Sequence, residues 1–554
     1  MMTGARIEQQ YYELTHGWNG FVLAYVLIAL FSLAGLRRGK AGLAQYVGWP
    51  FTSLATLVVA GLAVEFMQWL IETLTGAPFG IYAVNLMAAL VFMLAGVLGG
   101  LYWAARGRPV LAASHTRGAE VYDGSLVQQE SQKRRAKALR GPAEQTPITL
   151  AGVALDSGDE ATHTIILGTT GMGKSTLIRE MVHAALTRGD RLIIADPDGG
   201  YLSRYYTAKR GDVILNPFDA RGARWDLFAE ITTNYDIDQL ARSLIPDPAG
   251  SADPQWVRYA RTFFESVTRQ AKAVGVSDIG ELYRLLTSAS KEELRALLDG
   301  TPAAPFLEDN SEKLFGGARS TLAEHVKAFD YLREQKGAGF SVRHWVRSAQ
   351  TGVLFLPYRA DQIPALRSVI STWMRLAMVQ TMSLEEADYR LWFVIDELDA
   401  LGAIDGLASS LPRLRKFGGR GVLGLQAISQ VSNTYGGGNA DAIVENCNNK
   451  MILRCSASEG GGTARFASRL IGEREIVRID RSRSTSSGSF TSGGSESESF
   501  GERRTVEPAV LASEIEKLPR GTGYLKIGSR PDWLLVSFAE FEPAKIAKPF
   551  VSLS

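Results

Sequence analysis

Gly168, Thr169, Thr170, Gly171, Met172, Gly173, Lys174 and Ser175 have the types and spacing to hold a polyphosphate, with Thr176 directly behind them. Glycines let backbone N–H groups wrap an anion, while the closing lysine reaches the β- and γ-phosphates and the hydroxyl reaches a magnesium ion. The preceding His163–Leu167 reads as a short strand. The following Ser175–Leu186 places Leu177, Ile178, Met181, Val182 and Ala185 on one helical face. Strand, glycine loop and helix N-terminus together aim partial positive charge at a phosphate. A glycine-rich turn without a ligand is the bland alternative.

A second group has the chemistry to turn binding into hydrolysis. Arg390–Ile395 is an apolar run that ends in Asp396 and Glu397. Continuous apolarity marks a strand covered on both faces, and ligands of parallel sheets sit at the carboxyl ends of such strands. Asp396 suits the magnesium shell and Glu397 suits polarising an attacking water. Two acids at a strand end also serve as a helix N-cap, with a helix expected from near Gly402. One strand later, Gly421–Leu425 ends in Gln426, an amide able to reach a γ-phosphate. Arg413, Arg415, Lys416 and Arg420 cluster between them. An arginine from a neighbouring subunit supplies transition-state charge stabilisation of about 10³–10⁵ in rate. A solvated basic helix end is the competing reading for each.

These residues need a scaffold, and the pattern specifies one. Strands expected at Arg191–Ala195, Val213–Leu215 and Val353–Leu356 alternate with helices, predicting an α/β, doubly wound, mostly parallel sheet over 148–231 and 341–545. Between them, 232–340 shows helical periodicity and predicts an all-α subdomain. Ser482–Gly501 is Ser/Gly/Glu-rich and reads as a hairpin tip or flexible loop. Arg478, Arg481 and Arg483 beside it read as solvated charge, or as a contact for a polyanion.

The first 106 residues form a different medium. Apolar stretches run from Trp18 to Leu36, Phe51 to Ile71 and Ile81 to Ala105, each near the ~20 residues that cross a bilayer core. Arg37, Arg38 and Lys40 follow the first, Arg106 and Arg108 follow the third, and Thr75–Gly80 carries no basic residue. The positive-inside rule then places 37–50 and everything beyond 105 in the cytoplasm, with the N-terminus outside. Glu65 within the second stretch predicts either an interfacial helix or a carboxyl facing another helix. A polar linker over 107–147 follows, with Lys133, Arg134, Arg135, Lys137 and Arg140 reading as a solvated helix face or an anionic-lipid or DNA contact.

Composition excludes little else. Sixty basic against 58 acidic residues leave a net charge of +2, which neither demands nor forbids a polyanionic partner. Two cysteines, Cys447 and Cys455, rule out a disulfide framework or a cysteine zinc site and read as reduced packing residues.

Taken in order, the anchor, Gly168–Ser175, Arg191–Gly199 with its Asp-Pro-Asp-Gly, Val213–Asp219, the helical insertion, Leu391–Glu397, Gly424–Gln426 and Leu518–Pro531 resemble the type IV coupling proteins, in their TraD/TrwB branch. The resemblance covers almost the whole chain. It implies a RecA-like P-loop core with ATP and Mg²⁺, a homo-hexameric DNA-dependent ATPase at the bacterial inner membrane, and a central channel. It further implies partners: relaxase-bound single-stranded DNA, with duplex DNA the less expected form, relaxosome proteins and type IV secretion channel components. Residue by residue, it assigns Lys174, Asp396, Glu397 and Gln426 to the Walker and sensor positions and Arg415 to the trans-acting arginine. The three apolar stretches depart from the family's usual two spans. A chromosome-segregation translocase of duplex DNA is the nearest rival, and no C-terminal winged-helix segment is expected here. An ATPase coupling protein effectors only, and a nucleotide-binding scaffold with a dead site, are the others. An ABC transporter is set aside because no Leu-Ser-Gly-Gly-Gln lies between the P-loop and Asp396.

Overall fold

A computed structural model describes residues 17–38, 41, 43–76, 81–106, 114–142, 146–247, 254–348, 351–384, 390–458, 462–485 and 496–553. The chain divides into two compact units, one of residues 1–116 with 476–505 and one of 117–475 with 506–554.

In the first unit, α1 (Gly17–Arg38), α2 (Leu43–Thr75) and α3 (Ile81–Arg106) are long and apolar enough to cross a membrane. The second helix starts at Leu43, earlier than the expected Phe51, and carries Pro50 inside it. Some polar side chains tie the helices of the bundle together. Gln45 Nε2 donates to Trp103 O at 2.6 Å and Ala104 O at 3.2 Å, tying the start of α2 to the end of α3. Glu65 is exposed on the outer face of the bundle, so it faces neither α1 nor α3. The Ser/Gly-rich stretch is flanked by two hydrogen-bonded strands, Glu473–Thr485 and Glu496–Pro508. Its tip, 486–495, lies outside the described residues.

The second unit is built on a ten-stranded sheet: β1 (Val121–Asp123), β2 (Thr164–Leu167), β3 (Arg191–Pro197), β4 (Val213–Ile214), β5 (Val353–Tyr358), β6 (Leu391–Ile395), β7 (Gly419–Leu425), β8 (Asn449–Ile452), β9 (Thr522–Lys526) and β10 (Trp533–Ser537). Their order across the sheet is β1-β10-β9-β8-β2-β7-β6-β3-β5-β4. The run from β8 to β4 is parallel, whereas β9 is antiparallel to β8 and to β10. Side chains of β2, β3, β5, β6 and β7 are buried on both faces, which accounts for their continuous apolar sequence.

One face packs on α4 (Lys174–Arg188) through Leu177, Ile178, Met181 and Val182. The other packs on Ile363–Thr381 and on the inserted helices, where Trp225 meets Trp373 edge to face at 5.7 Å. Residues 234–247 and 254–332 are largely helical, with side-chain caps at Asp278 and Ser290 and a capping box at Thr233 and Asp236. Their bases close with a parallel two-residue pair, Arg224–Trp225 with Gly339–Phe340. The expected helix near Gly402 instead starts at Leu407, after a single 3₁₀ turn at Asp399–Leu401.

Strand order does the positioning. β2 and β3 follow each other in sequence but are separated by β7 and β6, so their connection crosses the sheet and opens a crevice at its carboxyl end. Registers Leu425↔Leu167 and Ile395↔Leu423 bring the ends of β2, β7 and β6 level. Gly424 makes this possible: a Cβ there would sit inside the Asp396 carbonyl oxygen.

Candidate active site

The loop 168–173 leaves β2 and enters α4 at Lys174, with Gly173 at φ 111°, a left-handed conformation that suits glycine. Lys174 Nζ donates to Gly168 O at 2.7 Å, which keeps the ammonium over the loop. Burial lowers its pKa, opposed by the charges of Asp396, Glu397 and Asp399. Ser175 Oγ donates to Asp396 Oδ2 at 2.7 Å. Residues 221 positions apart in sequence thus share one hydrogen bond.

Gln426 stands between the two halves. Its Nε2 donates to Glu397 Oε1 at 2.9 Å, and its Oε1 accepts from Thr170 Oγ1 at 3.2 Å. Burial raises the Glu397 pKa, reinforced by Asp396 and Asp399 and opposed by Lys174 and the Gln426 hydrogen bond. A carboxylate whose proton affinity is raised is a better base toward water. Thr169 N donates to Arg454 O at 2.9 Å, and Arg454 Nε lies 3.0 Å from Met172 Sδ, so the end of β8 braces the loop from the other side. Gly171 and Thr176 complete the expected phosphate cradle, with Thr176 buried at the start of α4.

Several residues of the site carried no sequence signal. Tyr201 OH donates to Asp396 Oδ2 at 2.9 Å and is wholly buried with it. It arrives on the turn after Asp196-Pro-Asp-Gly, where Asp196 accepts from Tyr201 N at 2.9 Å and Leu202 N at 2.7 Å. Burial pushes the Asp196 carboxyl up to about 7, against those backbone donors. Tyr358, at the end of β5, is raised by burial and by Glu397 and Asp396.

Arg415 is exposed, in the 3₁₀ turn Arg415–Phe417 that precedes β7. β7 is parallel to β2, so Arg415 lies at the opposite end of the strands from the P-loop, about 20 Å away at strand rise. It therefore cannot reach the phosphate loop of its own chain. Arg413 and Lys416 are exposed like Arg415. Arg420 is buried, pairing with Glu160 at 3.3 Å and donating to Gly418 O at 2.6 Å, so it is structural.

Two oxygen ligands, the Ser175 hydroxyl and the Asp396 carboxylate, fit a magnesium ion that draws its remaining ligands from phosphate and water. Among the described residues no group of three or more His, Cys, Asp or Glu could hold a metal by itself.

The profile of the type IV secretion-system coupling protein DNA-binding domain matches residues 147–538, the whole span of this site. The chain belongs to the type IV coupling proteins. This coupling protein is 30% identical to the coupling protein TraD of Escherichia coli (strain K12) over 516 residues, 92% of this chain and 69% of TraD. Its structure matches the plasmid coupling protein TrwB in complex with the ATP analogue ADPNP at TM-score 0.68 and 30% identity, covering 80% of this chain and 98% of TrwB. TrwB in complex with ADP and Mg²⁺ matches at TM-score 0.68 and 29% identity, covering 80% and 99%. The coupling protein therefore has the RecA-like nucleotide-binding fold.

Proposed function

We propose that this coupling protein is an inner-membrane motor that hydrolyses ATP with Mg²⁺ to move relaxase-bound single-stranded DNA into a type IV secretion channel during conjugation. The Ser175–Asp396 contact at 2.7 Å, with Gln426 bridging Thr170 and Glu397 beside it, carries the reading. Lys174 would neutralise the β- and γ-phosphates, Ser175 and Asp396 would hold Mg²⁺, and Glu397 would orient and polarise the lytic water. The reading includes a homo-hexameric ring, as the family resemblance implies: Arg415, exposed at the far end of the sheet from its own phosphate loop, would act on the site of a neighbouring subunit. The apolar helices α1–α3 fit the membrane anchor, with the motor in the cytoplasm.

Steady-state ATPase of the detergent-solubilised protein, with and without single-stranded DNA, tests the assignment. Lys174→Ala and Glu397→Gln abolish DNA-stimulated turnover while membrane insertion is kept. Retained turnover in both variants overturns it. Stimulation by duplex DNA alone supports a duplex translocase instead, and stimulation by neither DNA supports a protein-effector motor.

A further inference from the structure

His163 lies at the foot of β2, the strand whose other end opens into the phosphate loop. It is 1% exposed and sits at φ 58°. Its Nδ1 accepts from Gly421 N at 2.8 Å, so the ring proton is on Nε2, which lies 2.6 Å from Leu411 O and donates to it. One imidazole thereby holds the carbonyl that enters, and the amide that leaves, the segment carrying Arg415. Within that segment Arg420 Nη1 donates to Gly418 O at 2.6 Å. Pro412 has no N–H to give the Ala408 carbonyl, and Asn446 Nδ2 supplies that bond at 3.3 Å. The arginine itself remains exposed on a backbone that is tied at both ends.

The network continues under the sheet. Arg420 reaches Glu160, which pairs with Arg188 at 2.8 Å, and Arg188 pairs with Asp190 at 2.6 Å. Arg188 is the last residue of α4, the helix that begins at Lys174. Strand β2 and helix α4 thus both run from the phosphate loop to the base that supports Arg415.

We infer that His163 is a positioning residue for Arg415, setting where each subunit presents its arginine to the site of the next. The inference rests on the trans-acting reading of Arg415 given above. It makes the four-residue strand β2 the link between the nucleotide site a subunit owns and the arginine it presents.

Mixed rings of the full-length protein test it. Lys174→Ala subunits have no working site of their own but keep Arg415, and Arg415→Ala subunits have the converse. Mixing the two regains DNA-stimulated ATPase that neither shows alone. Adding His163→Asn to the Lys174→Ala subunit cannot act through that subunit's own nucleotide site, which is already inactive. Asparagine tolerates the left-handed backbone but does not reach Leu411. The regained activity is expected to fall about 10-fold to 100-fold, and His163→Gln, whose longer amide reaches further, is expected to restore part of it. Ring assembly by light scattering is expected to be unchanged for both variants. Regained activity that survives both substitutions overturns the inference alone. No regain in the parent mixture overturns the trans-arginine reading, and the inference with it.

Discussion

Gln426 joins Glu397 to the phosphate loop, donating to the carboxylate at 2.9 Å and accepting from Thr170 at 3.2 Å. The bridge exists because β7 lies between β2 and β6, so the residue after Leu425 falls between loop and acid. Gln426→Ala is expected to lower kcat about 10-fold to 100-fold with ATP affinity nearly unchanged, since a positioned water matters most in the transition state. Parallel measurement of kcat and nucleotide Kd checks this. A raised Kd at unchanged kcat would show that the amide serves ground-state binding only.

Tyr201 shares Asp396 Oδ2 with Ser175. Hydrogen bonds to charged groups contribute roughly 1.5–3 kcal/mol. Tyr201→Phe is therefore expected to raise the Mg²⁺ concentration needed for half-maximal ATPase by about tenfold. The Asp196 turn is unaffected, because it binds the Tyr201 amide and not the ring. A magnesium titration that superimposes on the parent's would reject the role.

Gly424 is set by space. A Cβ at this position collides with the backbone of Asp396 and cannot be relieved by rotating a side chain. Gly424→Val is expected to destabilise the motor unit by about 3 kcal/mol or to prevent folding, in line with overpacking of a close-packed core. Thermal unfolding measures it, and an unchanged Tm would contradict the strand contact.

His163 gives stability a pH dependence of definite sign. Burial lowers its pKa to about 4, partly opposed by the Leu411 hydrogen bond and reinforced by the charges of Arg420 and Arg415. The unfolded imidazole titrates near 6.5, so between 6.5 and 4 the unfolded state binds the extra proton. The contribution is present in full above pH 6.5 and is lost as pH falls toward 4, at most about 3 kcal/mol. The difference in Tm between the parent and His163→Asn is expected to shrink across that window. A difference constant from pH 7 to 4.5 would refute it.

Much of the site was legible because its chemistry is local. The glycine loop, its lysine and its hydroxyl lie within eight residues, and the strand before them and the helix after them are the context that a phosphate loop requires. Asp396 and Glu397 were legible from the apolar strand before them, since a buried strand must end where polar side chains meet the crevice. The helical insertion declared itself through apolar periodicity. Tyr201 and His163 were not legible. An aromatic in a turn or an imidazole beside a strand looks the same whether it fills space or holds a catalytic group, and only the partner distinguishes them.

The sequence by itself determined which groups could bind phosphate and metal, and that the core strands are covered on both faces. Tertiary structure decided which strand ends are neighbours. It put β7 between the phosphate loop and the acids, and carried Arg415 to the far end of the same sheet. Hydrophobic pattern specifies that a strand is buried but is nearly blind to its position among equally apolar strands. That position is chosen by side-chain packing and by close backbone contacts such as Gly424 against Asp396, which exist only once the chain has folded.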